Sequence, residues 1–462
     1  MLITWSLCTG AGFFLIHLAL AGLMRQGGFS LGAVTPDLTP LYAYWNPHLK
    51  PGLLAPLACA FLYTRWVRRT AVCQKLSDLR AILGFMAWFL TLALTLPLID
   101  GGPSVWIAPY VSRPELEYFG AIDQVQSIQT FLGTYVNRLD SLPMHARVHP
   151  PGAIILLSVL ASLLGGGPWG AALGTIGFST LAVPLVFGLG RSIGGPALAR
   201  QSTALFVATP CVLLFTATCM DGPFMVVLIA TLWAFWLALT EKPIAMGLLA
   251  GSLAATGALL TYSVAIVLIF CAIAWFWRLL SQPDRRVDTL AAGASALMAF
   301  LIVPTILWAT TGFNPVEMLQ KAIGQDHKIM SGTRHESLLR HGILAVGNLS
   351  AFAISVGLPT AAFYLGTLSQ TSRFAGVNLK QGGSLTTFLF SGAATLLIAA
   401  ALPVYTMEVE RIWLFLVPLV VIPAAALLVE NQDESSPSLS IWAVRLLLGQ
   451  AILTEVLLGT YW

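Results

Sequence analysis

Residues 2–24 read LITWSLCTGAGFFLIHLALAGLM, an apolar run that contains no Asp, Glu, Lys or Arg. About 20 such residues, wound as an α-helix, cross the hydrocarbon core of a bilayer, which is roughly 30 Å thick. The run has no basic residues before it and no clear small-residue cleavage site. It therefore predicts a retained membrane-spanning helix and not a cleaved signal peptide.

Similar runs recur along the 462-residue chain, which is 57% apolar and only 10% charged and has a mean hydropathy of +0.81. Soluble domains carry about a quarter charged residues. We therefore predict an all-α polytopic membrane protein, one integral membrane domain over 1–462 without a separate soluble domain. The thirteen predicted spans are 2–24, 51–67, 81–99, 169–190, 201–219, 222–239, 243–261, 264–281, 289–309, 343–366, 383–401, 412–429 and 440–460.

Basic residues predict the orientation in the plasma membrane. Residues 65–80 read RWVRRTAVCQKLSDLR, and such a basic loop favours the cytoplasmic side. Alternation then places the N-terminus in the cytoplasm and the C-terminus outside. Residues 150–166 are apolar but short, so we interpret them as an interfacial helix. Counting them as a span would move the basic residues Arg191 and Arg200 to the outer side.

Two long loops, 100–166 and 310–342, then face outward. In the first, apolar residues recur every three or four positions over 112–140, which predicts an amphipathic helix on the membrane surface. Its Glu115 and Glu117 are our candidate catalytic carboxylates, since a carboxylate can act as general base towards a hydroxyl. Two alternatives stay open: Glu115 could complete a capping box with Ser112, and Glu117 could be a solvated surface residue.

The first outer loop ends in HARVHPPG, residues 145–152. The prolines fix how the chain enters the following apolar helix and exclude helix just before it. His145, Arg147 and His149 are candidate donors to a phosphate at the membrane surface. They could instead be ordinary residues at the headgroup level.

The second outer loop is rich in basic residues, and Arg334 and His335 are its candidate phosphate ligands. The alternative is a solvated loop that meets anionic lipid headgroups. His327, His335 and Glu336 could bind a metal, but their spacing is not diagnostic. We expect no required metal or other cofactor, with a divalent ion left open.

Ionisable residues also stand at the ends of later helices. Glu408, Glu410 and Arg411 precede an apolar helix, where charges are costly and commonly functional. Arg411 could hold a phosphate that one of the glutamates orients, or could form an intraprotein Glu–Arg pair that pins two helices together. Asp221, in CMDGPF, is either an acid at a substrate cavity or a helix N-cap.

These motifs resemble those of the GT-C membrane glycosyltransferases, in the branch of the protein O-mannosyltransferases and bacterial aminoarabinose transferases. The resemblance lies in an acidic residue opening a juxtamembrane helix (ELEYFGAI, 115–122), a later basic-Pro-Pro motif and an acid at a helix end (Asp221). It covers the chain to about residue 240. This sequence has Glu-Leu-Glu where the family usually has Asp-Glu, and His149 where it often has Lys.

The resemblance implies a glycosyltransferase that takes a sugar from a polyprenyl-phosphate donor and acts at the outer face, with inversion. Glu115 or Glu117 would orient or deprotonate the acceptor, which could be a glycan, a lipid or a protein. We expect membrane lipid but no nucleic acid as a partner. Rival interpretations are a transporter or lipid flippase, a polysaccharide polymerase or ligase, and a non-catalytic scaffold of the same fold.

Overall fold

A computed structural model of the chain describes residues 2–27, 38–71, 77–217, 220–329, 338–378, 383–402, 404, 408–431 and 438–459. Arg334 and His335, the two predicted phosphate ligands of the second loop, lie outside these residues, as does Glu336. Nearly all of the described chain is helical.

The first ten α-helices are α1 (Leu2–Gln26), α2 (Leu54–Trp66), α3 (Asp78–Thr95), α4 (Ala108–Val111), α5 (Ile128–Tyr135), α6 (Met144–Val148), α7 (Gly152–Leu163), α8 (Gly167–Ser179), α9 (Ala182–Ala208) and α10 (Pro210–Thr216). The later ones are α11 (Asp221–Thr240), α12 (Pro243–Leu260), α13 (Val264–Ser281), α14 (Arg286–Thr311), α15 (Pro315–Ile329), α16 (Leu338–Ser355), α17 (Leu358–Asn378), α18 (Ser384–Ala401), α19 (Val409–Ile412), α20 (Val417–Glu430) and α21 (Ser438–Leu457). Two short strands, β1 (Tyr44–Trp45) and β2 (Leu458–Gly459), pair antiparallel.

Ten helices or helix runs of the described chain are long and apolar enough to cross a membrane. The chain is thus a multi-pass membrane protein, and its described residues contain fewer long spans than the thirteen predicted. The predicted span 169–190 and the first part of 201–219 lie in one apolar run, Gly167–Ala208, which counts once. Helix α2 has only 13 residues before a π-helical turn, and the helical run Leu414–Glu430 is also short. These differences account for the three missing spans.

The predicted span 343–366 is wrong as a single helix. Helix α16 ends at Ser355 and α17 begins at Leu358. Gly357 between them has φ +98°, a left-handed conformation that glycine adopts far more readily than other residues. Hydropathy alone does not register this break, because residues on both sides of it are apolar.

The predicted amphipathic helix over 112–140 is also wrong as a continuous element. A turn is followed by a 3₁₀-helix (Tyr118–Gln124), by α5 and by a second 3₁₀-helix (Val136–Ser141). Ser127 is extended, with φ −143° and ψ 131°, which interrupts the helix before α5. Of the predicted apolar positions, Tyr118, Leu132 and Tyr135 are buried, whereas Ile128 is exposed.

Residues 150–166 form α7, whose 12 residues rise about 18 Å, well short of the roughly 30 Å of a bilayer core. This length agrees with the interpretation of the segment as too short to span. Its position at the membrane surface stays a prediction.

The chain divides into two compact units. The first comprises Met1–Gly102, Thr180–Phe215 and Thr333–Tyr461, and the second Pro103–Ser179 and Thr216–Gly332. In the first unit α9 packs on α3 and α20, and α17 packs on α1 and α20. A break at Gly194 and Gly195, where φ and ψ leave the helical range, divides α9 within its length.

The second unit carries the loop that was predicted to face outward. Its long helices pack closely, above all α12 on α14, where a Cβ added to Gly251 would lie 2.0 Å from the Ala296 carbonyl oxygen. A buried hydrophobic cluster joins residues of the loop, such as Tyr118 and Tyr135, to α7, α8, α11 and α15. The loop is therefore part of a packed core, and its polar side chains stand at fixed positions.

Candidate functional site

A carboxylate and an imidazole meet in the second unit. Glu117 Oε1 lies 3.5 Å from His145 Nδ1, and the two side chains are 19% and 21% exposed. These residues are far apart in sequence, and both belong to the predicted site. Their partial burial reduces solvent screening while still leaving them accessible to a ligand.

Backbone hydrogen bonds hold this pair in place. The amide of Met144 donates to the Glu115 carbonyl and the amide of His145 to the Leu116 carbonyl, each at 3.0 Å. The turn that carries Glu117 is thereby tied to the first turn of α6. Glu117 itself is extended, with φ −90° and ψ 151°, and its side chain does not cap the 3₁₀-helix that follows.

Glu115 is exposed and contributes its carbonyl to this arrangement. The alternative of a capping box with Ser112 is wrong, because Ser112 ends α4 and Glu115 lies in a turn. A capping glutamate needs the third position of a helix that begins at its partner. The structure thus places the two candidate carboxylates differently, with only Glu117 beside an imidazole.

His149 joins the site through aromatic contacts. The centroid of its ring lies 5.8 Å from that of the Tyr118 ring, which it meets edge to face. It lies 6.5 Å from the centroid of the Phe224 ring, to which it is nearly parallel. The His145 ring lies 6.0 Å from the same Tyr118 ring. Both imidazoles of the HARVHPPG motif therefore contact one tyrosine, which the sequence analysis treated only as an apolar residue.

The motif folds as its prolines predict. Helix α6 ends at Val148, and His149 is extended, with φ −120° and ψ 158°, because a following proline disfavours helix at this position. A Cβ added to Gly152 would lie 2.3 Å from the carbonyl oxygen of Leu259, so only glycine permits this approach of α7 to α12. Arg147 Nε donates to the Leu142 carbonyl at 2.7 Å.

Tyr135 is a positioning residue that the sequence analysis missed. Its buried hydroxyl lies 2.8 Å from the Ala146 carbonyl oxygen and 3.2 Å from that of His149, and it donates to both. Burial raises the pKa of Tyr135, so the hydroxyl keeps its proton as a donor. The signal in the sequence was only a tyrosine at an apolar position, where a buried hydroxyl requires a partner.

Asp221 is the first residue of α11, and Met220 occupies the N-cap position. The alternative of Asp221 as the N-cap is therefore wrong. A carboxylate in the first turn interacts favourably with the helix dipole. One turn later Phe224 contacts both His149 and Tyr118, so the helix that Asp221 begins belongs to the same cluster.

The other predicted ligands form a separate cluster in the first unit. Arg411 Nη2 lies 2.6 Å from Glu408 Oε2, so an intraprotein Glu–Arg pair forms, but it joins residues three apart and does not pin two helices together. Glu408 is the one non-glycine residue of the described chain with positive φ, at +66°. Glu410 Oε1 accepts a 2.7 Å hydrogen bond from the Tyr42 amide, and burial raises the pKa of Glu410 to about 7.

Within the described ranges, no group of three or more His, Cys, Asp or Glu side chains could hold a metal ion. The expectation that no metal is required stays a prediction.

The sequence model of the family described as dolichyl-phosphate-mannose-protein mannosyltransferase matches residues 148–308. This match confirms the resemblance inferred from the motifs and extends past residue 240, where the motifs ended. It includes His149 and Asp221 and begins after both candidate glutamates. No curated protein matches the chain significantly.

Among solved structures, the chain is similar to the oligosaccharyltransferase of Archaeoglobus fulgidus in its apo form, with 12% identity and a TM-score of 0.47. A second structure of an archaeal oligosaccharyltransferase, AglB from the same organism, was determined in complex with an inhibitory peptide and a dolichol-phosphate and gives 13% identity and a TM-score of 0.48. Each comparison covers 82% of this chain and 56% of the other, so the chain spans little more than half of their length.

Proposed function

We propose that this chain is a GT-C-type membrane glycosyltransferase that moves a sugar from a polyprenyl-phosphate donor to an acceptor hydroxyl. The family match over 148–308 supports the reaction class. The observation that carries the proposal is the Glu117–His145 pair beside His149, which combines a proton acceptor with two groups able to bind phosphate. We place this site at the outer face of the plasma membrane, in line with the basic loops.

In the proposed reaction the acceptor hydroxyl oxygen attacks the anomeric carbon of the donor sugar. The bond from that carbon to the phosphate oxygen breaks, and its electron pair leaves with polyprenyl phosphate. Glu117 takes the proton of the attacking hydroxyl, a general-base role that typically contributes 10²- to 10⁴-fold to the rate. A single displacement of this kind inverts the anomeric centre.

The imidazoles of His145 and His149 are proposed to face the phosphate of the donor. A protonated imidazole donates charge-assisted hydrogen bonds to phosphate oxygens. Phosphate is a good leaving group when its developing charge is met by such donors, so this scheme requires no metal. Asp221 is proposed to hold the acceptor or the donor sugar at the start of α11.

The residues of the first unit that the sequence suggested as phosphate ligands receive another role. Arg411 pairs with Glu408, and Glu410 accepts from the Tyr42 amide, so we assign these three residues to the stability of that unit. Arg147 donates to the Leu142 carbonyl and is assigned to the shape of the loop.

The test is transfer of radiolabelled sugar from polyprenyl-phosphate donors in membranes that contain the protein. We expect Glu117→Gln to lower transfer by about 10²- to 10⁴-fold. Glu115→Gln is the matched control, because it makes the same change on an exposed side chain two residues away. We expect it to change transfer less than a few-fold, while His149→Ala weakens donor binding.

Each variant must also retain the thermal stability of the wild type for its transfer rate to count. Transfer that survives Glu117→Gln at the wild-type rate contradicts the assignment of the base. Wild-type protein that transfers no sugar from any polyprenyl-phosphate donor contradicts the proposed function and favours the transporter or scaffold interpretation.

A further inference from the structure

A polar cleft of about 390 Å³ lies in the second unit, between the 3₁₀-helix Val136–Ser141 and α15. Ligand sites commonly have volumes of about 300–1,000 Å³, so the cleft is large enough for one or two sugar rings. Its polar lining residues are Asn137, Asp140, Lys321, Gln325 and Lys328, and Val136, Leu139 and Gly324 line the rest.

The cleft adjoins the structure that carries the candidate site. Its 3₁₀-helix leads directly into α6, the helix of His145. On its other side α15 packs on α6, and its Met318 and Ala322 belong to the hydrophobic cluster that contains Tyr118. Helix α15 thus buries Met318 and Ala322 against the core of the site, and other residues of the same helix line the cleft.

The residues of α15 that line the cleft form one regular face. Lys321, Gly324, Gln325 and Lys328 follow the i, i+3, i+4, i+7 spacing that places residues on the same side of a helix. The two lysines are about 10.5 Å apart along the helix axis. A Cβ added to Gly324 would meet no atom within 4 Å, so this position leaves open space between the two cations.

The chemistry of the lining is mixed. Asp140 Oδ1 accepts a 2.7 Å hydrogen bond from Gln325 Nε2, and Asn137 adds a second amide nearby. Carboxylate and amide groups of this kind bind hydroxyls, whereas lysines bind anionic groups. Lys321 forms an exposed ion pair with Glu317 at 3.3 Å, which an acidic ligand replaces when it binds. The carboxylate of Asp140 disfavours a bare anion, and the charged side chains disfavour a wholly apolar ligand. A sugar that carries acidic groups satisfies both kinds of residue.

We propose that this cleft binds an acidic saccharide, one or two sugar rings that bear carboxylate or phosphate groups, next to the site of transfer. Its role as the binding site of the acceptor glycan rests on the proposed function. The binding of an acidic saccharide is independent of that function. Asp140 and the amides contact the sugar hydroxyls, and Lys321 and Lys328 contact the acidic groups.

The test is calorimetric titration of the purified protein in neutral detergent, without any donor. The probes are trigalacturonic acid, the neutral sugar maltotriose and inorganic phosphate. We expect trigalacturonic acid to bind about tenfold more tightly than maltotriose, because two exposed charge pairs together raise the affinity by about that factor. Inorganic phosphate is expected to bind more weakly than trigalacturonic acid and not to displace it at equal concentration.

The double variant Lys321→Gln/Lys328→Gln is expected to bind trigalacturonic acid about as weakly as maltotriose. Its matched control, Lys242→Gln/Arg285→Gln, also removes two exposed positive charges of the second unit and is expected to bind like the wild type. Asp140→Asn is expected to weaken both sugars alike. All of these side chains are exposed, so thermal melts should show folded proteins.

Equal affinities of the wild type for trigalacturonic acid and maltotriose overturn the proposal, as does phosphate that binds as tightly as the acidic sugar. The outcome is independent of transfer: an acidic sugar that binds through the two lysines supports the cleft even if Glu117→Gln leaves transfer intact. If transfer is established, the double variant is expected to raise KM for an acidic acceptor about tenfold and to leave kcat unchanged.

Discussion

Glu410 couples the stability of the first unit to pH. The residue is 4% exposed, its Oε1 accepts the hydrogen bond from the Tyr42 amide, and burial raises its pKa from 4.5 to about 7. The neighbouring carboxylate of Glu408 raises the pKa further, whereas Arg411 and the backbone hydrogen bonds oppose the shift. Between pH 4.5 and 7 the folded protein therefore keeps a proton on Glu410 that the unfolded chain has lost.

The sign of the effect follows from this difference. The folded state binds more protons in that interval, so the free energy of unfolding falls as the pH rises from about 4.5 to about 7. The difference between 4.5 and about 7 corresponds to about 3 kcal/mol at most. Glu410→Gln keeps an oxygen for the Tyr42 amide and cannot ionise. We expect this variant to lose the corresponding part of the pH dependence and to be more stable than the wild type at pH 7.5.

The measurement is the thermal unfolding midpoint of the detergent-purified protein, followed by tryptophan fluorescence from pH 4.5 to 7.5. Glu241→Gln, the same change at an exposed position, is the matched control and is expected to keep the wild-type profile. The difference between Glu410→Gln and wild type isolates one group from the others that titrate. Parallel profiles for wild type and Glu410→Gln would show that the Glu410 carboxyl does not hold its proton near neutrality.

Three further predictions concern single contacts. Gly152→Ala is expected to lower the free energy of unfolding by about 1–3 kcal/mol, because the new Cβ meets a carbonyl at 2.3 Å, whereas Gly102→Ala, with open space around it, is neutral in the same denaturation assay. Tyr135→Phe removes the hydroxyl that hydrogen-bonds to two backbone carbonyls, so we expect a loss of about 1 kcal/mol in stability. The same variant is expected to have a raised KM for the polyprenyl-phosphate sugar in the transfer assay. Glu408→Gln leaves the largely buried Arg411 without its carboxylate and is expected to cost about 3 kcal/mol in thermal or chemical unfolding.

The sequence predicted the membrane helices best where an apolar run is flanked by charged or helix-ending residues. The predicted spans 222–239, 243–261 and 264–281 match α11, α12 and α13 to within one residue at either end. Asp221, Glu241 with Lys242, and Arg278 with Pro283 mark four of these six ends. Such boundaries are local, so a single sequence suffices to locate them.

Two helix breaks were not predicted. Gly357 separates two helices within an apolar run, and Gly357 with Pro359 is a local helix-ending signal that hydropathy does not register. Ser127 interrupts the surface helix without any proline or glycine beside it. At Ser127 the local sequence carries no such signal, so the break becomes visible only in the fold.

The candidate site was predicted in its residue types but not in its pairing. Glu117 and His145 were both proposed, yet nothing in their spacing indicated that two backbone hydrogen bonds, from Met144 and His145, would bring them to 3.5 Å. The Glu408–Arg411 pair joins residues three apart on one turn, whereas the alternative considered from the sequence was a pair that pins two helices together. The Glu117–His145 pair is closed by a loop of 27 residues, and such a pair requires the fold.

The motif HARVHPPG then has a structural explanation that precedes any chemistry. Pro150 forces His149 out of the helix, Gly152 lets α7 approach α12, and the Tyr135 hydroxyl holds the carbonyls of Ala146 and His149. None of these three constraints requires a histidine at position 145 or 149. Residues that only had to pack against Tyr118 could be aliphatic or aromatic, so two imidazoles on one tyrosine beside Glu117 are more than the fold demands. Because packing does not require these titratable side chains, they are the best candidates for the residues that carry the reaction.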